Sequence, residues 1–252
     1  MLMVTDEWSN GPYHFWIDVL SRIMAWIESG GSPEHYTLAL PNTDYMRECA
    51  THILEKLSIR FGEVTFMHSE DIYLCTGKIT FISLPHTMGS NNTFLIKKIQ
   101  DRVFSDTSFY AGNPKLKVYY FRKNRRRVVI NDDEVKIFLL DKGFICTDFD
   151  DLSYLEAWRL MANTKLFIGI HGGGMTNIFF MPQGGTIVEF KTDNPNPESH
   201  CYWHLAHSLG HNYCQFIGES ATPGNNTIEG SRGCDIRIEM ATLKRWFEQH
   251  GI

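Results

Sequence analysis

The chain has 252 residues, of which 43% are hydrophobic and 13% aromatic, which is enough apolar material for one large α/β domain or two small ones. Its net charge of -5 at pH 7 argues against a general nucleic-acid-binding protein, and its sequence has no apolar run long enough to span a membrane. The six cysteines lack C-x-x-C spacing and the first residues lack signal-peptide character, so we expect a cytoplasmic protein without structural zinc or disulfides.

Apolar periodicity and β-branched runs predict helices and strands that alternate along the whole chain. In the first half we expect helices at residues 13–28, 43–59 and near 92–104, with strands at 36–40, 64–67 and around 72–84. In the second half we expect strands at 117–122, 144–147, 166–170, 186–190 and 212–216, with helices at 132–142, 152–162, 202–209 and 236–250. This alternation favours two parallel-sheet lobes, joined by a Gly-Asn-Pro loop at 112–114.

The first predicted helix places two polar side chains on one face. His14 and Asp18 are four residues apart within an aromatic and aliphatic run. A partly desolvated carboxylate is a stronger base, which suits general-base chemistry. The alternative is an amphipathic helix whose polar pair simply faces solvent.

A run of basic residues follows the predicted strand at 117–122. Arginine suits a diphosphate because its planar guanidinium donates paired hydrogen bonds and stays charged. Arg122, at the carboxyl end of that strand, is the favoured phosphate ligand. For Arg125 and Arg126 we favour a solvated turn or a localisation-like basic patch.

Three consecutive glycines, Gly172, Gly173 and Gly174, separate a buried strand from an apolar helix start. A turn without side chains lets backbone amides approach an anion, and a following helix adds about half a positive charge. The motif predicts a phosphate site at the carboxyl end of a parallel sheet, although it fits neither the G-x-G-x-x-G fingerprint nor a P-loop. Glu189, at the end of the next strand, is placed to accept hydrogen bonds from ribose hydroxyls.

Two rival motifs are weaker. Asp148-Phe149-Asp150 matches the D-x-D pattern that holds a divalent cation in some nucleotide-sugar enzymes, but acidic residues before a predicted helix are favoured as caps. The HGGG run also occurs as the oxyanion element of lipases, which need a later G-x-S-x-G elbow. The nearest match, around Ser220, lacks the closing glycine. We therefore rank a serine esterase third among the possible functions, after the two that are given below.

Four blocks, in this order, resemble the family 61 glycosyltransferases. The first block is the H-x-x-x-D helix from His14 to Asp18, and the second is Arg122 followed by R-x-x-I-N-D at residues 127–132. The third block, at residues 169–190, contains G-x-H-G-G-G-M-T-N, then M-P, then V-E-F. The fourth block is C-Y-x-x-L-A-x-x-x-G-x-x-Y at residues 201–213. The third block is distinctive, and together the blocks extend over most of the chain. The compact size suggests a microbial or viral member.

The resemblance implies an α/β fold of GT-B type, with two facing Rossmann-like lobes, parallel sheets and a C-terminal helix that crosses back. We expect an N-terminal acceptor-side lobe at residues 1–112 and a nucleotide-sugar-binding lobe at 113–235. Residues 236–252 are then the helix that packs on the first lobe.

The resemblance also implies inverting transfer from a UDP-sugar. We expect the acceptor to be a hydroxyl of a glycan or glycoprotein, and the small size of the protein favours xylose as the donor sugar, with N-acetylglucosamine next. We expect no obligatory metal, no other cofactor and no nucleic-acid partner. Asp18 is the favoured catalytic base, with His14 orienting it or replacing it. The expected donor ligands are Arg122, Arg127, His171, Gly172, Gly173, Gly174, Met175, Thr176, Asn177 and Glu189. The main alternative is a catalytically inactive glycan- or nucleotide-binding protein, which needs the glycine turn but not Asp18.

Overall fold

The computed structural model describes residues 1–6, 8–87, 89–104, 112–123, 127–192, 200–221 and 235–251. The chain divides into two compact units, Met1–Thr107 and Ser108–Ile252. Each unit has its own sheet, and both sheets are mainly parallel, so the predicted α/β class is confirmed. The predicted domain boundaries and the arrangement of the lobes stay predictions. Within the described ranges, no helix is both long and apolar enough to cross a bilayer.

The first unit is built on four parallel strands. Its elements in chain order are β1 (Leu2–Met3), the helix α1 (Pro12–His14, a π-helical turn Phe15–Val19, then Leu20–Glu28), a 3-10 turn (Pro33–His35), β2 (Thr37–Pro41), α2 (Asp44–Lys56), β3 (Glu63–Met67), β4 (Thr80–Phe81) and α3 (Thr93–Val103). Thr43 and Asn92 cap the starts of α2 and α3 by accepting backbone hydrogen bonds, as is usual for these residue types. The strand order β3-β2-β1-β4 reverses between β1 and β4, which is where doubly wound sheets bind ligands.

The second unit is built on five parallel strands and one antiparallel edge strand. Its elements in chain order are β5 (Leu116–Tyr120), α4 (Asp132–Asp141), β6 (Phe144–Thr147), a 3-10 turn (Phe149–Asp151), α5 (Tyr154–Ala162), β7 (Thr164–Ile170), a 3-10 helix (Gly173–Phe180), β8 (Thr186–Thr192), α6 (Cys201–Ser208), β9 (Asn212–Ser220), β10 (Ile236–Arg237) and α7 (Met240–His250). The order of the described strands is β10-β9-β8-β7-β5-β6, and β10 pairs antiparallel with β9. The direction of strand addition reverses between β5 and β7, so the loops after these strands border the expected ligand crevice.

The final helix is shorter than predicted. Ile236 pairs with the end of β9 instead of entering the helix, and Glu239 caps α7 by accepting from two backbone N–H groups. The buried ring of Phe247 packs edge-on against Phe138 and lies 6.0 Å from Phe144 of the same unit. The predicted packing of this helix on the first lobe stays a prediction.

A buried histidine anchors the glycine-rich 3-10 helix. His211 donates from Nε2 to the Ile178 carbonyl at 3.3 Å, and burial lowers the pKa of His211 to about 4. Between that value and the usual histidine pKa of about 6.5, the unfolded chain binds a proton that the folded protein does not, so stability falls as the pH drops.

We therefore expect the free energy of unfolding to fall by about 2 kcal/mol through His211 between pH 7 and pH 5. Guanidinium unfolding at both pH values, for the wild type and for His211→Asn, measures this. The variant should lose less stability on acidification, since asparagine does not titrate. An equal loss in both proteins would contradict the prediction.

Candidate active site

The start of α1, beside the carboxyl end of β1, brings the predicted His14 and Asp18 side chains together. Their Nδ1 and Oδ2 atoms are 2.6 Å apart. The Asp18 side chain is only 9% exposed and that of His14 is 29% exposed, so the alternative of a solvated polar pair is wrong for Asp18. The π-helical turn Phe15–Val19 widens the helix between the two residues, and such turns are frequent at functional sites.

His86 joins this pair, and nothing in the sequence around it signals that role. It lies in the loop after β4, with Nε2 3.4 Å from Asp18 Oδ1 and 3.4 Å from the Ile17 carbonyl. Its side chain is 3% exposed. Asp18 therefore has an imidazole beside each oxygen. His14 is the most exposed member of the cluster, and because its Nδ1 faces Asp18, its Nε2 is the nitrogen left to contact a ligand.

In the second unit, two arginines lie against the glycine turn. A Cβ built on Gly172 would lie 2.9 Å from Nη1 of Arg122 and 3.8 Å from Cζ of Arg127, so both guanidinium groups approach this glycine closely. Burial lowers the pKa of Arg127 the most, and the positive charge of Arg122 lowers it further. The structure thus holds two cations side by side, an arrangement that a bound anion would stabilise.

Arg122 is also incompletely hydrogen-bonded. Its Nε and Nη1 atoms are buried, and among the described residues neither has a hydrogen-bond partner. No carboxylate in the described part of the chain pairs with Arg122 or Arg127. Buried donors without partners are costly, so these atoms are suited to a ligand that brings acceptor oxygens.

The glycine turn is tightly packed on the side of Gly174. A Cβ on Gly174 would lie 2.3 Å from Cζ of Tyr120, so only glycine fits there. The following residues form a 3-10 helix rather than the expected α-helix start, and the Asn177 side chain donates to the Gly174 carbonyl at 3.0 Å. Met175 and Thr176 are buried, and the contacts with a sugar donor predicted for them and for Asn177 stay predictions.

We expect Gly174→Ala to destabilise the protein by about 1–3 kcal/mol, because the added methyl group must displace the Tyr120 ring or the turn. Chemical denaturation measures the change. Gly77→Ala is the matched control, since a Cβ at Gly77 meets nothing within 4 Å. Equal stability of the two variants would show that the turn is not sterically constrained.

Behind the turn lies a buried carboxylate. Glu189 is 0% exposed, and its two oxygens meet Nδ1 of His171 and the hydroxyl of Tyr213. Burial and the charge of Glu189 raise the pKa of Tyr213, so its hydroxyl stays a neutral donor. Tyr202 packs edge-on against the His171 ring at 5.2 Å. Glu189 thus holds His171 with Nε2 as the remaining nitrogen, while the direct ribose contact predicted for Glu189 stays a prediction.

The D-x-D motif and the possible esterase serine are both explained by their places in the fold. Asp148 accepts from the backbone N–H groups of Lys123 and Asp150 at 2.9 and 3.2 Å, and so caps the 3-10 turn that follows it. Asp148 is therefore a cap, but of this turn and not of the predicted helix, because α5 is capped by Ser153. Ser220 lies in β9, paired with Ile236, and not on the strand-to-helix turn that an esterase elbow requires.

Not every basic residue singled out in the sequence can be placed. Arg125 and Arg126 lie outside the described residues. Of the predicted donor ligands, Arg122 and Arg127 lie against Gly172, whose neighbours along the turn are His171, Gly173 and Gly174. Their contacts with a sugar donor stay predictions.

The chain is similar to a known family and to several known proteins. The family model for glycosyltransferase 61 matches residues 13–188. The EGF domain-specific O-linked N-acetylglucosamine transferase of dog is 25% identical over 142 residues, covering 53% of this chain and 26% of the relative. For the Drosophila melanogaster enzyme of the same name, identity is 27% over 140 residues, with the same coverage.

A second kind of relative is the protein O-linked-mannose β-1,4-N-acetylglucosaminyltransferase 2 of Xenopus laevis. It is 24% identical over 114 residues, covering 44% of this chain and 20% of the relative. These matches thus span only a fifth to about a quarter of the length of the relatives. The family match itself includes the His14–Asp18 pair, both arginines and the glycine turn, and covers well over half of the chain. The chain therefore belongs to glycosyltransferase family 61.

Proposed function

We propose that this chain is an inverting glycosyltransferase that moves a sugar from a UDP-sugar to a hydroxyl of a glycan or glycoprotein, without an obligatory metal. One observation carries the proposal. The Nε and Nη1 atoms of Arg122 are buried and have no hydrogen-bond partner among the described residues, and this side chain lies beside Arg127 and against Gly172, at the reversal point of the second sheet. A pyrophosphate supplies the negative charge and the several acceptor oxygens that this site lacks.

In this proposal, the second unit stabilises the leaving group. When the bond between the sugar C1 and the phosphate oxygen breaks, negative charge develops on UDP. The guanidinium groups of Arg122 and Arg127, the backbone N–H groups of the turn and Nε2 of His171 are positioned to stabilise it. Glu189 and Tyr213 orient His171 from behind.

The first unit supplies the base in the proposed GT-B arrangement, in which the two lobes face each other. The acceptor oxygen forms a bond to C1 as the phosphate leaves, and the hydroxyl proton passes to a protein group. The sequence favoured Asp18 for this role. The greater exposure of His14 favours His14 Nε2 as the group that takes the proton, with Asp18 holding Nδ1.

The identity of the donor sugar is a separate part of the proposal. The names of the relatives specify N-acetylglucosamine, which favours that sugar over the xylose that the small size of the chain suggested. Both donors therefore belong in any test.

Calorimetry with UDP, UDP-N-acetylglucosamine and UDP-xylose, each with and without EDTA, tests the proposal. We expect binding that EDTA does not abolish, followed by slow donor hydrolysis that releases UDP. Loss of binding in EDTA would overturn the metal-independent mechanism. Donor binding without hydrolysis or transfer would favour the inactive binding protein, and the absence of any nucleotide binding would overturn both.

We expect His86→Gln to lower kcat about tenfold, because Asp18 loses one of its two neighbours and orients His14 less well. The dissociation constant of the UDP-sugar should stay unchanged. Steady-state kinetics together with calorimetry separate the two effects. His35→Gln, which changes an exposed histidine of the same unit, is the control. Equal activity of both variants would remove His86 from the site.

A further inference from the structure

We infer that Trp8 is a stacking platform for a sugar ring of the acceptor, so that the acceptor is a glycan rather than a bare peptide hydroxyl. The inference rests on the proposed function, since it names the substrate that would meet the base. Its structural basis lies wholly within the first unit.

Trp8 stands next to the candidate base. Its ring centroid is 6.4 Å from that of His14, and the two rings are inclined by 33°. Trp8 is 50% exposed, whereas Phe15 and Trp16 of the adjoining helix are buried. A large aromatic ring therefore stays open at the surface beside an imidazole whose Nε2 is not used by Asp18.

Polar contacts hold the backbone next to the Trp8 indole. The Trp8 backbone N–H donates to Asp6 Oδ1 at 3.0 Å, and the Asp6 N–H donates to Ser9 Oγ at 2.9 Å. The buried Arg22 then donates to Asp6 Oδ2 at 2.7 Å and to the Val4 carbonyl at 3.0 Å. These bonds hold the backbone on either side of the indole, and half of the Trp8 surface is exposed and available to a ligand.

The position in the fold also indicates a ligand. The Trp8 loop follows β1 and the His86 loop follows β4, and the order of the first sheet reverses between these two strands. Open α/β sheets bind their ligands at such a point, outside the carboxyl ends of the strands.

The chemistry of the ring selects the class of ligand. A pyranose has an apolar C–H face and a polar rim, so it can cover an indole while its hydroxyls contact neighbouring polar groups. A ring stacked on Trp8 lies beside His14, which places one of its hydroxyls near Nε2. A serine or threonine hydroxyl of a peptide lacks an apolar face of this kind.

Saturation-transfer NMR tests the inference with defined probes. They are the methyl glycosides of galactose, mannose, xylose and fucose, and an N-acetylated serine amide as the peptide analogue. The proteins are wild type, Trp8→Ala, Trp8→Phe and, as the matched control, Trp203→Ala, whose indole is similarly exposed at 48% on α6. We expect at least one glycoside to bind the wild type and the control with strongest transfer to its ring C–H protons. Binding should weaken about tenfold in Trp8→Ala and less in Trp8→Phe.

Binding of no glycoside to the wild type, or equal binding to Trp8→Ala, would overturn the inference, as would binding of the serine amide alone. This measurement needs no donor, so its failure differs from failure of the proposed function, which is read from UDP-sugar binding and hydrolysis. Circular dichroism confirms that the variants fold. In transfer assays, Trp8→Ala should raise the acceptor KM, whereas Trp203→Ala should not.

Discussion

Replacing Arg122 with methionine is expected to abolish UDP binding and, at the same time, to stabilise the ligand-free protein. Nε and Nη1 of Arg122 are buried without described partners, and Arg127 places a second positive charge nearby. Removing these donors should raise the free energy of unfolding by about 1–2 kcal/mol. Loss of paired, charge-assisted hydrogen bonds should weaken UDP binding by a hundredfold or more, since such bonds contribute about 1.5–3 kcal/mol each.

The two expected effects of Arg122→Met have opposite signs, because stability rises while UDP binding is lost, and this makes the prediction easy to test. Thermal unfolding with and without UDP reports both, since the variant should melt higher than the wild type alone and gain nothing from UDP. Arg245→Met, which alters an exposed arginine on α7, should leave both quantities unchanged. A variant that is destabilised would show that Arg122 supports the fold, and one that still binds UDP tightly would remove it from the donor site.

Replacing His14 with alanine is expected to lower transfer by about a thousandfold while UDP binding persists, because the variant lacks the base that we propose for the acceptor proton. Imidazole added to this variant should restore part of the rate, since a small base can occupy the space. Asp18→Asn should also lower transfer by a hundredfold or more, because an amide no longer accepts from both histidines. Imidazole should not rescue this second variant.

The rescue pattern separates the two assignments of the base. Restoration of His14→Ala but not Asp18→Asn places the proton transfer on His14. If His14→Ala retains most of its activity while Asp18→Asn is inactive, the carboxylate is the base, as the sequence alone favoured. Calorimetry with UDP provides the control that the donor site is intact in each variant.

The sequence predicted the strands of the second unit well because both faces of that sheet are covered. Phe167, Ile168, Ile187 and Val188 are fully buried, and such strands read as continuous apolar runs. Helix ends were predictable where a local cap exists, as at Thr43 and Asn92. The two-residue strands β1 and β10 have no comparable local pattern, since pairing with distant strands defines them.

The sequence by itself determined the α/β class, the His14–Asp18 face, the position of Arg122 and the glycine turn, because periodicity, spacing and turn chemistry are local. Only the tertiary structure decided that His86 lies beside Asp18 and that Glu189 is buried between His171 and Tyr213. These contacts join loops and strands far apart in the chain. Strand order sets them, and no short sequence pattern encodes strand order.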